Sequence, residues 1–131
     1  LLITFWASWD EESRERQREL IAVKEKYEKH NFDILSISLD TNREKWLQAI
    51  HEDSTTWRQA CDFDGWSTGI VERMQIEQLP ANVLLNPSRR IQAMDLYGEA
   101  LDKKIDELTE IRKPEDKVKK TPTNIRALKK K

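Results

Sequence analysis

The first 20 residues contain an abrupt change of character that limits how this chain can fold. An apolar run of β-forming residues, 1–7, reads L-L-I-T-F-W-A, and the acidic sequence D-E-E-S begins only three positions later. The length and composition of the run predict a buried strand. The residues that follow place Gln17, Leu20 and Tyr27 on one face at three- and four-residue spacing, which predicts a helix over 11–30. Residues 33–39, D-I-L-S-I-S-L, then predict a second buried strand, so the chain begins with a right-handed parallel β-α-β unit.

The rest of the sequence alternates helical and extended patterns. We predict a helix from 41 through 50, an extended piece at 56–63, a short helix at 70–74, strands at 81–85 and 91–96, and a helix at 99–111. The two late strands flank an Asn-Pro turn and therefore form a hairpin. Two Ser/Thr-x-x-Glu sequences, Ser8 to Glu11 and Thr41 to Glu44, predict capping boxes. This order predicts an α/β fold, a mixed sheet with helices on both faces.

Charge is distributed unevenly along the chain, although the net charge is only −1. Residues 112–131 carry nine basic and two acidic side chains, so residues 1–111 carry the remaining 14 and 22. We read residues 1–111 as one domain and residues 112–131 as a solvated basic tail. The tail lacks the interleaved aromatic side chains that stack on nucleic acid bases, so we expect no nucleic acid partner.

Neither a secretory signal nor an apolar run of the roughly 20 residues that cross a bilayer is visible. Because the chain begins inside an apolar run, we expect an upstream part to be missing and membrane attachment only through an anchor there.

Cys61 is the single cysteine, which excludes an intramolecular disulfide and a cysteine-rich zinc site. His30 and His51 lie far apart without a metal-ligand pattern, so we predict no metal and no cofactor.

Several short motifs together resemble the thioredoxin superfamily, and within it the TlpA-like (AhpC/TSA-related) thiol–disulfide oxidoreductases of the bacterial cell envelope. They are F-W-A-S-W at the end of the first strand, S-L-D after the second, D-G-W at 64–66, L-P-A before the hairpin and L-N-P at its turn. The resemblance covers residues 1–108. It implies a three-layer α/β/α sandwich without the family's N-terminal hairpin, and a location in the bacterial cell envelope or periplasm.

The chain departs from that family at the active-site motif itself. The resemblance places Asp10 and Ser13 where the family carries the two cysteines of C-x-x-C, with Glu11 and Glu12 between them. Disulfide exchange requires a thiolate that attacks sulfur and a second thiol that resolves the mixed disulfide. A carboxylate and a hydroxyl cannot form these bonds, so we predict no catalytic residue here. The helix N-terminus still favours an anion, and Asp10 supplies one.

Other chemistry at the acidic cluster is disfavoured by its spacing. Consecutive residues on a helix point about 100° apart, so the three acids do not converge as a general acid–base pair. Ser13 could meet Asp10, but neither histidine is placed to activate it as a nucleophile. The cluster also lacks the ligand spacing of an EF-hand.

Two further features bear on function. Cys61 lies in W-R-Q-A-C-D-F, which we read as a short buried strand. Two roles stay open for it: an inert core thiol, or a thiol that forms a mixed disulfide with a partner.

Pro80 matches the family's cis-proline, which implies a cis Leu79–Pro80 bond. The candidate binding groove consists of Trp9, Asp10, Trp66, Leu79 and Pro80, and an extended peptide or protein is its predicted partner. The opposing interpretation places most of the five tryptophans in the core.

We therefore predict a redox-inactive thioredoxin-like domain that acts in binding or structure, and expect no enzymatic activity. Two alternatives stay open. The first is a thiol–disulfide oxidoreductase, as the family resemblance implies, working through Cys61 or a partner's thiols. The second is a peptide-binding or chaperone module that uses the cis-proline groove.

Overall fold

The computed structural model describes residues 1–109, which form a five-stranded sheet with four helices. In chain order the elements are β1 (Leu2–Trp6), α1 (Glu11–Tyr27), β2 (Ile34–Ser38), α2 (Arg43–Asp53), β3 (Arg58–Ala60), α3 (Gly69–Arg73), β4 (Ala81–Leu85), β5 (Ile91–Met94) and α4 (Gly98–Thr109). The predicted α/β class is confirmed. The predicted tail, residues 112–131, lies outside the described residues.

The sheet is mixed, with strand order β3-β2-β1-β4-β5. β1 pairs with β2 and β2 with β3 in parallel, and the crossovers pass through α1 and α2. β4 runs antiparallel to β1, and β5 runs antiparallel to β4. The parallel half and the C-terminal hairpin are therefore both confirmed. β1 lies at the centre, so the turn that follows it emerges from the middle of the sheet.

Alternation along β1 divides the core into two faces. On one face, Leu2 packs with residues of α1 and α4, and Trp6 packs with residues of α2. On the other, Phe5 packs with Val71 of α3. Helices therefore cover both faces, as the sequence predicted. Three of the five tryptophans (Trp6, Trp46 and Trp57) belong to this core.

A buried ring of hydrogen bonds connects α1 to the two central strands. Gln17 Nε2 donates to Thr4 Oγ1 at 2.9 Å, and the Thr4 and Ser36 hydroxyls lie 2.7 Å apart. Ser36 Oγ donates to Gln17 Oε1 at 2.6 Å and accepts from Trp57 Nε1 at 2.7 Å. Each polar group thus has a partner, which removes the penalty for burying it in an apolar core.

Element ends differ from the sequence prediction where local contacts decide them. α1 ends at Tyr27 and continues as one 3-10 turn to His30, after which Asn31 is left-handed with φ 64°. The predicted extended piece at 56–63 forms a strand only over Arg58–Ala60, because an edge strand pairs with just three residues of β2. β5 stops at Met94 rather than residue 96, because Asp95 turns to φ 56°.

Candidate functional site

The turn between β1 and α1 is built around Asp10, which is the N-cap of α1. Its backbone is extended, with φ −111° and ψ 101°, and its Oδ2 accepts a 3.0 Å hydrogen bond from the Ser13 N–H. The predicted capping box at Ser8 and Glu11 is therefore wrong. The helix begins two residues later than that box requires, so the Asp10 side chain is the one that reaches the free N–H groups.

Ser13 is completely buried at the first turn of α1. Its hydroxyl donates to the Asp10 carbonyl oxygen at 3.0 Å and accepts from the Ala7 N–H at 3.2 Å. The hydroxyl is thus engaged on both sides by the backbone of the turn, and none of its partners is a general base. This arrangement fits a structural role for Ser13 and offers no activation of a nucleophile.

Glu11 and Glu12, the remaining members of the acidic cluster, are exposed. Glu11 Oε2 accepts a 2.7 Å hydrogen bond from Arg18, two helical turns further along α1, whereas the Asp10 carboxylate accepts from the Ser13 N–H. The three acids therefore do not form a convergent carboxylate pair. Among residues 1–109, no group of three or more His, Cys, Asp and Glu side chains is placed to hold a metal ion.

A buried carboxylate, Asp40, holds the turn from the neighbouring strand. It is only 2% exposed, and the Ser8 N–H lies 3.2 and 3.1 Å from its two oxygens. The Ser8 hydroxyl donates to Oδ1 at 2.5 Å, and the Ser38 hydroxyl donates to Oδ2. Ser8 therefore serves as a tether to Asp40 rather than as a helix cap. Nothing in the S-L-D motif itself predicts this contact.

A second polar tie connects α1 to α2 beside the turn. Arg14 contacts Asp53 through Nε at 2.9 Å and Nη2 at 3.0 Å, and Arg18 adds a third bond at 3.1 Å. Burial alone would raise the pKa of Asp53, but the hydrogen bonds from both arginines outweigh it and lower that pKa. Asp53 is therefore ionised at neutral pH and ties α2 to α1. α2 itself is capped by Asn42, not by the predicted Thr41.

Cys61 lies just after β3 and is half-buried, so the prediction of a buried strand there is wrong. β3 is an edge strand with mostly exposed side chains and ends one residue earlier. The Cys61 Sγ donates to the Asp40 carbonyl oxygen at 3.4 Å. Burial raises the pKa of the Cys61 thiol, despite a hydrogen bond from the Phe63 backbone that lowers it.

The candidate groove combines exposed aromatic and half-buried residues. Trp9 is 61% exposed and Trp66 is 45% exposed, while Leu79 and Pro80 are half-buried and joined by a cis peptide bond. Trp9 lines a surface pocket of about 330 Å³ between α1 and α2. Pro80 lines a cavity at α1 and α4 and another at Met94. The two sides of the predicted groove thus border different cavities.

Part of this organisation is shared with known proteins. A family described as thioredoxin-like matches residues 1–91. None of the curated proteins matches the chain. No helix in residues 1–109 is long and apolar enough to cross a membrane.

Solved bacterial structures resemble the chain over most of its length. A thiol-disulfide oxidoreductase from Bacteroides fragilis is 44% identical, with a TM-score of 0.77 over 82% of this chain and 79% of that one. The thioredoxin domain of a thiol-disulfide oxidoreductase from Bacteroides vulgatus is 25% identical, with the same TM-score of 0.77 over 82% and 77%. A thiol:disulfide interchange protein from Bacteroides sp. is 25% identical, with a TM-score of 0.76 over 87% and 75%.

Proposed function

The chain belongs to the thioredoxin-like family, and we propose that it is a redox-inactive member that acts in binding or structure. The observation that carries this proposal is the pair Asp10 and Ser13, which stands where the family resemblance places two cysteines. Asp10 caps α1 and Ser13 is buried with both sides of its hydroxyl engaged. Both side chains thus have complete structural roles.

The chemistry of disulfide exchange explains why these two residues matter. A thiolate sulfur must form a bond to one sulfur of the substrate disulfide while the other leaves as a thiolate. A second thiolate must then attack the enzyme sulfur of this mixed disulfide, which releases the remaining substrate sulfur as a thiolate. Neither oxygen side chain can form or resolve a mixed disulfide. The positive end of α1 stabilises the Asp10 carboxylate as it would a thiolate, so the electrostatic role of the position persists without sulfur.

Cys61 offers a poor substitute for the missing thiols. Reactive cysteines have a lowered pKa and are accessible, whereas burial raises the pKa of Cys61 and its Sγ donates to Asp40. The names of the similar bacterial structures favour an oxidoreductase as the rival function. That rival requires turnover through Cys61 alone or through thiols that a partner supplies.

Insulin reduction by dithiothreitol separates the two functions. We expect the full chain to accelerate insulin precipitation no more than buffer does, and no more than its Cys61→Ala variant. Turnover above the Cys61→Ala control would overturn the redox-inactive proposal.

Restoring both sulfurs tests whether only the thiols are missing. In a Cys61→Ala background, Asp10→Cys combined with Ser13→Cys should catalyse insulin reduction, because the helix N-terminus lowers the pKa of the first thiol. Ser13→Cys alone is the matched control and should stay inactive, since it lacks the attacking cysteine. Inactivity of the folded double variant would instead mean that the surrounding groove no longer supports exchange.

The surface beside the turn favours binding as the positive function. Trp9 and Trp66 are both exposed, and aromatic side chains are enriched at protein interfaces. We infer that the partner is an extended peptide or an unfolded segment of a protein, bound along the aromatic side chains and the Leu79–Pro80 edge.

Binding can be measured with reduced, carboxymethylated lactalbumin, an unfolded chain without free thiols. Trp9→Ala and Trp66→Ala should each weaken its binding by about ten-fold, because exposed aromatic anchors dominate such interfaces. Leu47→Ala is the control, since Leu47 is 44% exposed on α2 outside the groove. Equal binding by all variants would contradict the groove assignment.

We further propose the bacterial cell envelope or periplasm as the location. Support comes from the family resemblance and from the bacterial origin of the similar structures. Release of the full-length protein by osmotic shock of its native cells would support a periplasmic location, and retention with the cytoplasm would contradict it.

A further inference from the structure

A cavity of about 160 Å³ lies between the middle of α1, the start of α4 and the central strands. The apolar part of its lining consists of Phe5, Leu20, Val23, Pro80, Ala81 and Leu101, and the ion pair between Arg16 and Glu19 also borders it. The cavity is separate from the Asp10 turn, because its α1 residues begin at Arg16. It is comparable in size to the roughly 150 Å³ apolar cavities that take up benzene.

One polar side chain of the cavity, Tyr97, differs from the others in its hydrogen bonding. Thr4 and Gln17 belong to the buried hydrogen-bond ring, and Asn82 is bonded to the backbone of Leu96. The Tyr97 hydroxyl is buried yet has no hydrogen-bond partner among residues 1–109. Buried hydroxyls are nearly always paired, so this donor calls for an explanation.

The Tyr97 ring is contacted by Arg16, and burial keeps its hydroxyl neutral. The Arg16 guanidinium lies 4.7 Å from the centre of the Tyr97 ring, in a cation–π arrangement. Burial raises the pKa of Tyr97 to about 12, aided by the nearby Asp95 carboxylate. The phenol therefore keeps its proton throughout the physiological pH range and can donate one hydrogen bond.

We propose that this cavity is a binding site for a small aromatic compound that carries one hydrogen-bond acceptor, such as an aryl ketone. The ring occupies the apolar lining, and the acceptor receives the Tyr97 hydroxyl proton. A single acceptor matches this lining, because its other polar side chains, including the paired Arg16 and Glu19, already have partners. The site shares only Pro80 with the predicted groove and needs neither thiols nor the exposed tryptophans, so it goes beyond the proposed function.

Acetophenone and α-methylstyrene are matched probes, since they differ only by a carbonyl oxygen in place of a methylene group. Each is titrated into the isotope-labelled full chain, and amide chemical shifts report both the site and the affinity. We expect saturable shifts at Leu20, Val23, Tyr97 and Leu101 with acetophenone. Absence of saturable shifts at these residues, or shifts spread over the whole surface, would overturn the site.

Variants then test the role assigned to the hydroxyl. Tyr97→Phe should weaken acetophenone binding about five-fold, the effect of losing one hydrogen bond, and leave α-methylstyrene binding unchanged. Equal changes for both probes would overturn the donor role. Val23→Phe, which fills the cavity, should weaken both probes. Tyr97→Phe removes a single atom and carries the test alone if Val23→Phe does not fold.

Discussion

The Ser13 N–H donates a 3.0 Å hydrogen bond to Asp10 Oδ2, and the Ser13 hydroxyl donates back to the Asp10 carbonyl oxygen, also at 3.0 Å. The two positions where the family resemblance places cysteines are thus bonded to each other. The Asp10 carboxylate lies at the positive dipole end of α1. It accepts a hydrogen bond from an N–H group of the first turn, which has no partner within the helix. A negative charge at this helix start is stabilising, which explains why Asp10 suits the N-cap position.

Removing the Asp10 cap should destabilise the fold. Asp10→Ala leaves the Ser13 N–H without its side-chain partner, and loss of such a cap costs about 1 kcal/mol. Urea denaturation measures the free energy of unfolding. Glu15→Ala is the control, because Glu15 is exposed on the same helix and has no hydrogen bond to another side chain within residues 1–109. A loss for Glu15→Ala as large as for Asp10→Ala would contradict the capping role.

Ser13→Ala tests the buried hydroxyl. The Ala7 N–H donates to Ser13 Oγ at 3.2 Å, so this substitution leaves a buried donor unpaired. Such a group costs on the order of 1–3 kcal/mol, which denaturation in urea would detect. The exposed Ser67→Ala is the matched control and should change stability by less than about 0.5 kcal/mol. Identical midpoints for the two variants would show that the Ser13 hydroxyl is not needed by the turn.

The sequence predicts the fold well because periodicity reports burial directly. The apolar run before Trp6 and the spacing of Gln17, Leu20 and Tyr27 mark a central strand and the face of α1 that packs on it. Element ends are predicted less well. Ser8 satisfies the same capping pattern as a true N-cap, and only the long-range contact with Asp40 determines that it does not cap α1.

The candidate site shows the same division between local and long-range information. The placement of Asp10 at a helix start follows from the sequence, since a strand and a helix meet there. The tether from Asp40 and the contact between Arg14 and Asp53 join residues more than 30 positions apart. No local pattern encodes such a pair, which explains why both were missed.

The buried ring around Gln17 yields a third prediction. Gln17→Met keeps the length of the side chain but removes two hydrogen bonds, one to Thr4 and one from Ser36. We expect a loss of about 1–3 kcal/mol in the free energy of unfolding, because two buried hydroxyls lose a partner. The same substitution at Gln48, whose amide bonds the exposed Glu52, is the control. Equal stability of the two variants would contradict a structural role for the ring.

The contact between Arg14 and Asp53 predicts how stability depends on pH. The pKa of Asp53 is lowered in the folded chain, since the arginine hydrogen bonds outweigh the effect of burial. Its ionised form therefore contributes stability above the unfolded-state pKa of about 4, and this contribution is lost as the pH falls through the folded-state value. Urea denaturation from about pH 7 to about pH 3 should show the free energy of unfolding declining below about pH 4.

Asp53→Asn separates this contribution from the general effect of acid. The variant should lose about 2 kcal/mol at neutral pH, because charge-assisted bonds from two arginines are weakened, and should decline less than the natural chain below about pH 4. Asp33→Asn is the control, since Asp33 and its partner Arg58 are both exposed and such surface pairs contribute little. Its profile should follow that of the natural chain. A profile for Asp53→Asn that also stays parallel to the natural chain would contradict the assignment of acid sensitivity to Asp53.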